Sequence, residues 1–131
     1  MKLEVVTPML RTKRLREAIQ FYESVLGFVC REYDEDWGWA SLGRDGVAIM
    51  LASPNAHEHF DRPAFTGSLY FRTDDVDALW ARVRDRARVC YPIENFDYGQ
   101  REFAIYDGDG YLLQFGSPIE TKGAGGARSA S

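Results

Sequence analysis

Glu102 is the acid best placed to do chemistry in this chain of 131 residues. It stands in Gln100–Tyr106, whose alternation puts Phe103 and Ile105 on one strand face and Glu102, Ala104 and Tyr106 on the other. A carboxylate there has two uses. It serves as a general base, which requires burial to raise its pKa, or it caps a polar end of a cavity and pairs with a cationic ligand. His57 and His59 form an H-x-H pair with Glu58 and Asp61 close in sequence. They sit in a loop between prolines with no third ligand held in place, so loop histidines are the simpler reading. Asp107 and Asp109 lack the twelve-residue ligand pattern of a calcium loop and read as turn residues. No G-x-S-x-G, glycine-rich phosphate loop or Cys–His pairing is present. Cys30 and Cys90 are isolated, which implies free buried thiols in a reducing compartment.

These residues need elements to hold them. Leu3–Leu10 is expected as a first strand, and Pro8 inside it marks an edge, a bend or an exchange, because proline cannot donate to a central ladder. Arg14–Leu26 carries Leu15, Ala18, Ile19, Tyr22, Val25 and Leu26 at helical spacing, and Gly27 stops it. Lys13, Arg14 and Arg16 crowd the positive end of that helix against its dipole. Strands follow at Phe28–Tyr33, Trp37–Leu42 and Val47–Ala52, with turns at Asp34–Asp36 and Arg44–Gly46. After a loop over Ser53–Phe65 the order repeats. Ser68–Thr73 is a strand, Asp74–Arg88 a helix with acids at its start, Val89–Ile93 a strand, and Gln100–Tyr106 and Tyr111–Phe115 a hairpin across Asp107–Gly110.

Length allows one domain, residues 1–119, built of two β-α-β-β-β modules at about 3–52 and 67–116, with 120–131 as a flexible tail. Apolar residues make up 45% and aromatic residues 14%, enough to suggest a lined cavity. A net charge of −4 argues against a nucleic-acid partner. No run approaches the ~20 apolar residues of a membrane span, and Met1–Leu10 has no signal core, which points to the cytoplasm.

Three stretches resemble a known family. Phe21–Phe28 reads F-Y-x-x-x-L-G-F, Arg72–Leu79 reads R-T-D-D-V-D-A-L, and Tyr98–Gly116 joins a G-x-R-E-F strand, a D-x-D-G turn and an L-L-x-F strand. Together they resemble the glyoxalase/bleomycin-resistance (vicinal oxygen chelate) superfamily from about Val5 to Gly116, although Gly108 replaces the usual turn proline. The resemblance implies an α+β fold of two βαβββ modules forming a curved, open-barrel sheet around a cavity. It also implies four metal-ligand positions, which fall here on Thr7, Met50, Ser68 and Gln114. Only Gln114 suits the family's metals, since hydroxyls and a thioether are poor ligands for them. Neither metal nor other cofactor, and no catalytic residue, is therefore expected.

Strand parity then sorts the faces. Leu10, Leu42, Ile49, Leu51, Leu69, Phe71, Phe103, Ile105, Leu113 and Phe115 face the helices, and the opposite parity faces the cavity. The expected ligand-binding set on that face is Trp37, Trp39, Met50, Ser68, Tyr70, Glu102 and Gln114, beside Thr7 and Met9. Phe60, Phe96 and Tyr98 close the rim from the two long loops. Such a lining suits planar heteroaromatic groups and cations. Alternatively, Trp37 and Trp39 are sheet-face aromatics buried at a dimer contact. The look is that of the metal-free bleomycin-resistance branch, which implies a homodimer exchanging its first strand at Pro8 and sequestering a bulky aromatic or cationic antibiotic. Two other readings stay open: an enzyme of the same superfamily, and a module binding an unrelated small molecule.

Overall fold

Strand pairing builds the same half twice. A computed structural model of the chain describes residues 1–56 and 60–119. Its elements run β1 (Met9–Arg11), α1 (Leu15–Ser24), β2 (Val29–Asp34), β3 (Trp39–Arg44) and β4 (Val47–Ala52). Then come β5 (Leu69–Arg72), α2 (Val76–Val83), β6 (Arg88–Asn95), β7 (Gln100–Tyr106) and β8 (Leu112–Pro118). The strands form two four-stranded mixed sheets ordered β1-β4-β3-β2 and β5-β8-β7-β6. In each, the first strand runs parallel to the last and the others are antiparallel. This is the α+β, twice-βαβββ architecture expected. His57, Glu58, His59 and the tail from residue 120 lie outside the described residues.

The chain divides into two compact units. Among the described residues, the first is Met1–Phe65 with Asp107–Tyr111; the second is Thr66–Tyr106 with residues 112–119. In the first, α1 lays Ala18, Ile19 and Tyr22 against Leu10, Ala40, Leu42, Ile49 and Leu51, all buried. Gly27, at φ 74°, ends the helix while the Phe28 amide donates to the Tyr22 carbonyl. The turn Asp107–Tyr111 belongs to this unit. One oxygen of the buried Asp107 accepts from the amides of Asp109, Gly110 and Tyr111, and the other accepts from the Tyr22 hydroxyl at 2.7 Å. Burial first, and Asp107 second, push the Tyr22 phenol well above its ordinary pKa. In the second unit Phe115 stacks between Phe71 and Phe103, and Trp80 of α2 tilts onto Phe103. Asp75 caps α2 by accepting from the Ala78 amide at 3.1 Å.

Several boundaries depart from expectation. β1 spans Met9–Arg11 rather than Leu3–Leu10, because Pro8 carries no N–H and the ladder starts where its carbonyl accepts from the Met50 amide. Leu3, Val5 and Val6 upstream are more than 80% exposed. Trp37 lies in the β2–β3 turn, not in a strand: Asp34 accepts from the Trp37 amide and Gly38 takes φ 66°. α2 stops at Val83, where the Arg86 amide closes a tighter turn onto the Val83 carbonyl. β6 extends to Asn95 and tolerates Pro92 because it is an edge strand with two register shifts. The thiols are free, but Cys30 is half-buried and Cys90 exposed, so they are not the buried pair expected.

Candidate functional site

Two polar–aromatic constellations emerge, one in each unit. The first is an open groove of about 790 Å³ that crosses all four strands of the first sheet beside the β2–β3 turn. Trp37 and Trp39 supply its rings, Glu32 and Asp34 its carboxylates, and Arg11 a cation, with Met9 and Ala52 beside them; Tyr33 borders it through the strand, its side chain sharing the α1 face with its cross-strand partner Ala40. The β2–β3 turn sets its geometry. Gly38 is required there, since a Cβ would stand 2.8 Å from the Ser53 hydroxyl and the backbone is left-handed. The result leaves Trp37 83% exposed, while Trp39 is half-buried and donates its Nε1–H to the Met50 sulfur at 3.2 Å. Arg16 reaches from α1 to the Glu35 carboxylate at 2.7 Å and the Tyr33 hydroxyl at 3.3 Å, fixing the turn from behind. That pairing accounts for a basic residue at the wrong end of a helix.

The second constellation surrounds Glu102, which is 1% exposed. Cross-strand register explains how. Tyr70, Gln114, Ala104 and Tyr91 form one row across β5, β8, β7 and β6, and Arg72, Gly116, Glu102 and Glu94 form the next on the same face. Ala104 and Gly116 are small, so the phenols on either side fall inward onto the carboxylate. Tyr70 donates to Glu102 Oε1 at 2.9 Å, and Tyr91 donates to Oε2. Gln114 Nε2 donates to the Tyr91 oxygen at 2.8 Å and lies 3.4 Å from the carboxylate, and Ser68 donates to Gln114 Oε1. Loss of solvent first, and Glu102 second, raise the pKa of both phenols, which keeps their protons available as donors.

The residues expected to share one lining thus fall into two groups. Trp37 and Trp39 line the groove with Met50 bonded to Trp39, while Ser68, Tyr70, Glu102 and Gln114 meet in the second unit. Phe96 stacks on the exposed Tyr98 and packs edge-on to Tyr91, so this pair joins the second group. Phe60 is half-buried in the first unit and does not line the groove. Glu102 does not open to solvent as a lining acid would, because phenols cover it.

Sequence reasoning missed Tyr91, Glu32, Tyr33, Arg11 and the spacer Gly116. A glycine inside a strand is the one local signal that was available, since it marks close approach by another group. For metal, Thr7 lies in coil before β1, Met50 is bonded to Trp39, and Ser68 and Gln114 are bonded to each other. Among the described residues no three His, Cys, Asp or Glu side chains converge. This donor set does not fit a divalent metal.

Residues 4–115 match the model of the Glyoxalase/Bleomycin resistance protein/Dioxygenase superfamily. An uncharacterized protein of Mycolicibacterium smegmatis is 30% identical over 117 residues, covering 89% of this chain and 96% of its own. Among solved structures, a bleomycin-binding protein complexed with bleomycin superposes with a TM-score of 0.71 at 23% identity, over 89% of this chain and 100% of that one. TnmS3, an antibiotic-binding protein from a Streptomyces species, gives 0.74 at 24%, over 91% and 99%. At those identities the two solved structures speak to the fold.

Proposed function

The chain belongs to the glyoxalase/bleomycin resistance protein/dioxygenase superfamily, and on that premise we propose that it is a binding protein sequestering a bulky aromatic or cationic compound such as a bleomycin-type antibiotic. The observation that carries the reading is the groove with Trp37 and Trp39 beside Glu32 and Asp34. Rings of that kind stack planar heteroaromatic groups, and carboxylates beside them select cations. Relatives of the same fold include a bleomycin-binding and an antibiotic-binding protein. Binding in this reading needs no metal, in keeping with the donor chemistry above.

The same reading makes the protein a cytoplasmic homodimer. Both cysteines are free thiols, and no helix among the described residues is long and apolar enough to cross a membrane. Leu3, Val5 and Val6 are exposed apolar side chains next to a three-residue edge strand, and a second copy taking up that arm at Pro8 would cover them. Sedimentation of the full chain should show a dimer at micromolar concentration; a stable monomer would remove the exchange.

The test of the ligand is a fluorescence titration with bleomycin and smaller heteroaromatic cations. Wild type should bind with tryptophan quenching. Trp39→Ala should weaken binding by several-fold to about tenfold, the worth of one stacked or cation–π contact, while the fold survives. Absence of binding below the millimolar range sinks the antibiotic reading. Binding that ignores Trp39→Ala and Asp34→Asn moves the site away from the groove.

A further inference from the structure

The Glu102 constellation has the makings of a cation site. A carboxylate taken out of water is costly unless its charge is answered. Glu102 is all but inaccessible, and the groups bonded to it are the phenols of Tyr70, Tyr91 and Tyr98 and the Gln114 carboxamide, neutral dipoles all. Register sets a second carboxylate, Glu94, directly across from it on β6, and such like-charged pairs repel. Arg72 lies in the same row beyond Gly116, on β5 two strands away, where its charge acts on the Tyr70 side. The β6 side of Glu102 is therefore the side on which negative potential accumulates.

The cover on that carboxylate is movable. Tyr70 is 47% exposed, and its hydroxyl rests in the space that a Cβ on residue 116 would fill, 2.1 Å from where that atom would be. On the other side Tyr91, Phe96 and Tyr98 form a contiguous aromatic wall, with centroids 5.4 and 5.5 Å apart. A buried carboxylate, an aromatic wall and a displaceable neutral donor describe a receptor for an N–H-bearing cation. Its charged hydrogen bond replaces a neutral one, and its alkyl shell faces rings.

We propose that Glu102 anchors the primary or secondary ammonium group of a small molecule, which enters by displacing the Tyr70 hydroxyl and packs against Tyr91 and Phe96. This rests on the small-ligand reading above and adds to it a second site, within the second unit, with the head group it takes and the residue that holds it. Quaternary ammonium is excluded as the preferred group, because it offers no N–H to replace the donor it must displace.

The experiment is calorimetry with benzylammonium, benzyl alcohol and benzyltrimethylammonium as probes on the full chain at pH 7. Benzylammonium should bind at least about tenfold more tightly than either of the others, the difference a charged hydrogen bond makes. Glu102→Gln should erase that preference. Tyr70→Phe keeps the ring but removes the competing donor, and should tighten benzylammonium by about two- to fivefold without helping benzyl alcohol. Equal affinity for the three probes in wild type overturns the proposal, as does a folded Glu102→Gln protein that retains the preference. If Glu102→Gln does not fold, Tyr70→Phe decides, and an unchanged or weakened benzylammonium affinity overturns it. Tryptophan quenching by a heteroaromatic cation reports on the groove of the first unit, so either reading can fail alone.

Discussion

Gly116→Ala tests the packing around Glu102 through a change of one methyl group. The backbone there is not left-handed, so alanine itself is tolerated, and it should gain about 0.4–1 kcal/mol by restricting the unfolded chain. The new Cβ would stand 2.1 Å from the Tyr70 hydroxyl oxygen, 3.0 Å from its ring carbon and 3.3 Å from Glu102 Cβ. Tyr70 must swing away and surrender its 2.9 Å bond to the carboxylate. A hydrogen bond to a charged group contributes about 1.5–3 kcal/mol. Tyr70 is half exposed and water takes part of its place, which reduces the loss to about 1–2 kcal/mol. The net is a destabilisation of about 0–1.6 kcal/mol. In a Tyr70→Ala background only Glu102 Cβ, 3.3 Å away, has to give by a few tenths of an ångström, and the same substitution should cost about 1–2 kcal/mol less. The assay is urea unfolding followed by circular dichroism at one fixed protein concentration, with equal m-values across the four proteins. The double-mutant cycle should give a coupling of about 1–2 kcal/mol. A Gly116→Ala effect of the same sign and size in both backgrounds would refute the reasoning.

Asp107→Ala removes the acceptor for three turn amides and for buried Tyr22, and should cost about 2–4 kcal/mol in the same urea assay; a loss under about 1 kcal/mol would show that the turn does not depend on that carboxylate. Tyr22, Tyr70 and Tyr91 have folded-state pKa values above the ordinary 10.0, so their contribution is whole below pH 10 and is lost as pH rises through the folded values. Stability should therefore fall above pH 10, by up to about 1.4 kcal/mol per pH unit for buried Tyr22 and by less for the solvent-screened Tyr70 and Tyr91, and Tyr70→Phe should flatten the slope. Asp109 is raised above its usual 3.8, by burial and then by Asp107, so its preference for the protonated form is lost as pH rises through the folded value. Asp109→Asn should raise the melting temperature at pH 7, with the gain vanishing below pH 3.8; a gain equal at both pH values would assign it to something other than charge.

Local pattern was legible wherever one period dominated. β7 and β4 fall on their expected bounds, because alternating apolar residues between turn-forming Asp and Gly leave a strand little freedom to slide. The helix-facing parity was legible for the same reason: Leu42, Ile49, Phe103, Ile105 and Leu113 are fully buried. Trp37 was misread because W-G-W alternates like a strand, yet Asp34 and Gly38 close the turn around it. Arg16 looked misplaced while only the helix dipole was considered, and its reason is a carboxylate on a hairpin nineteen positions away.

Residue types and periodicity determined the two βαβββ modules, because each depends on spacing along one element, while the likeness of three short stretches pointed to the family and, through it, to the poverty of the metal-ligand positions. The partners of Glu102 were decided only in three dimensions. Two register shifts in β6 bring Tyr91 opposite Ala104, and a glycine on β8 lets Tyr70 lean across it. Neither shift nor lean has a local signal, since which strands neighbour β7, and at what offset, is set by hydrogen bonding between segments far apart in the chain.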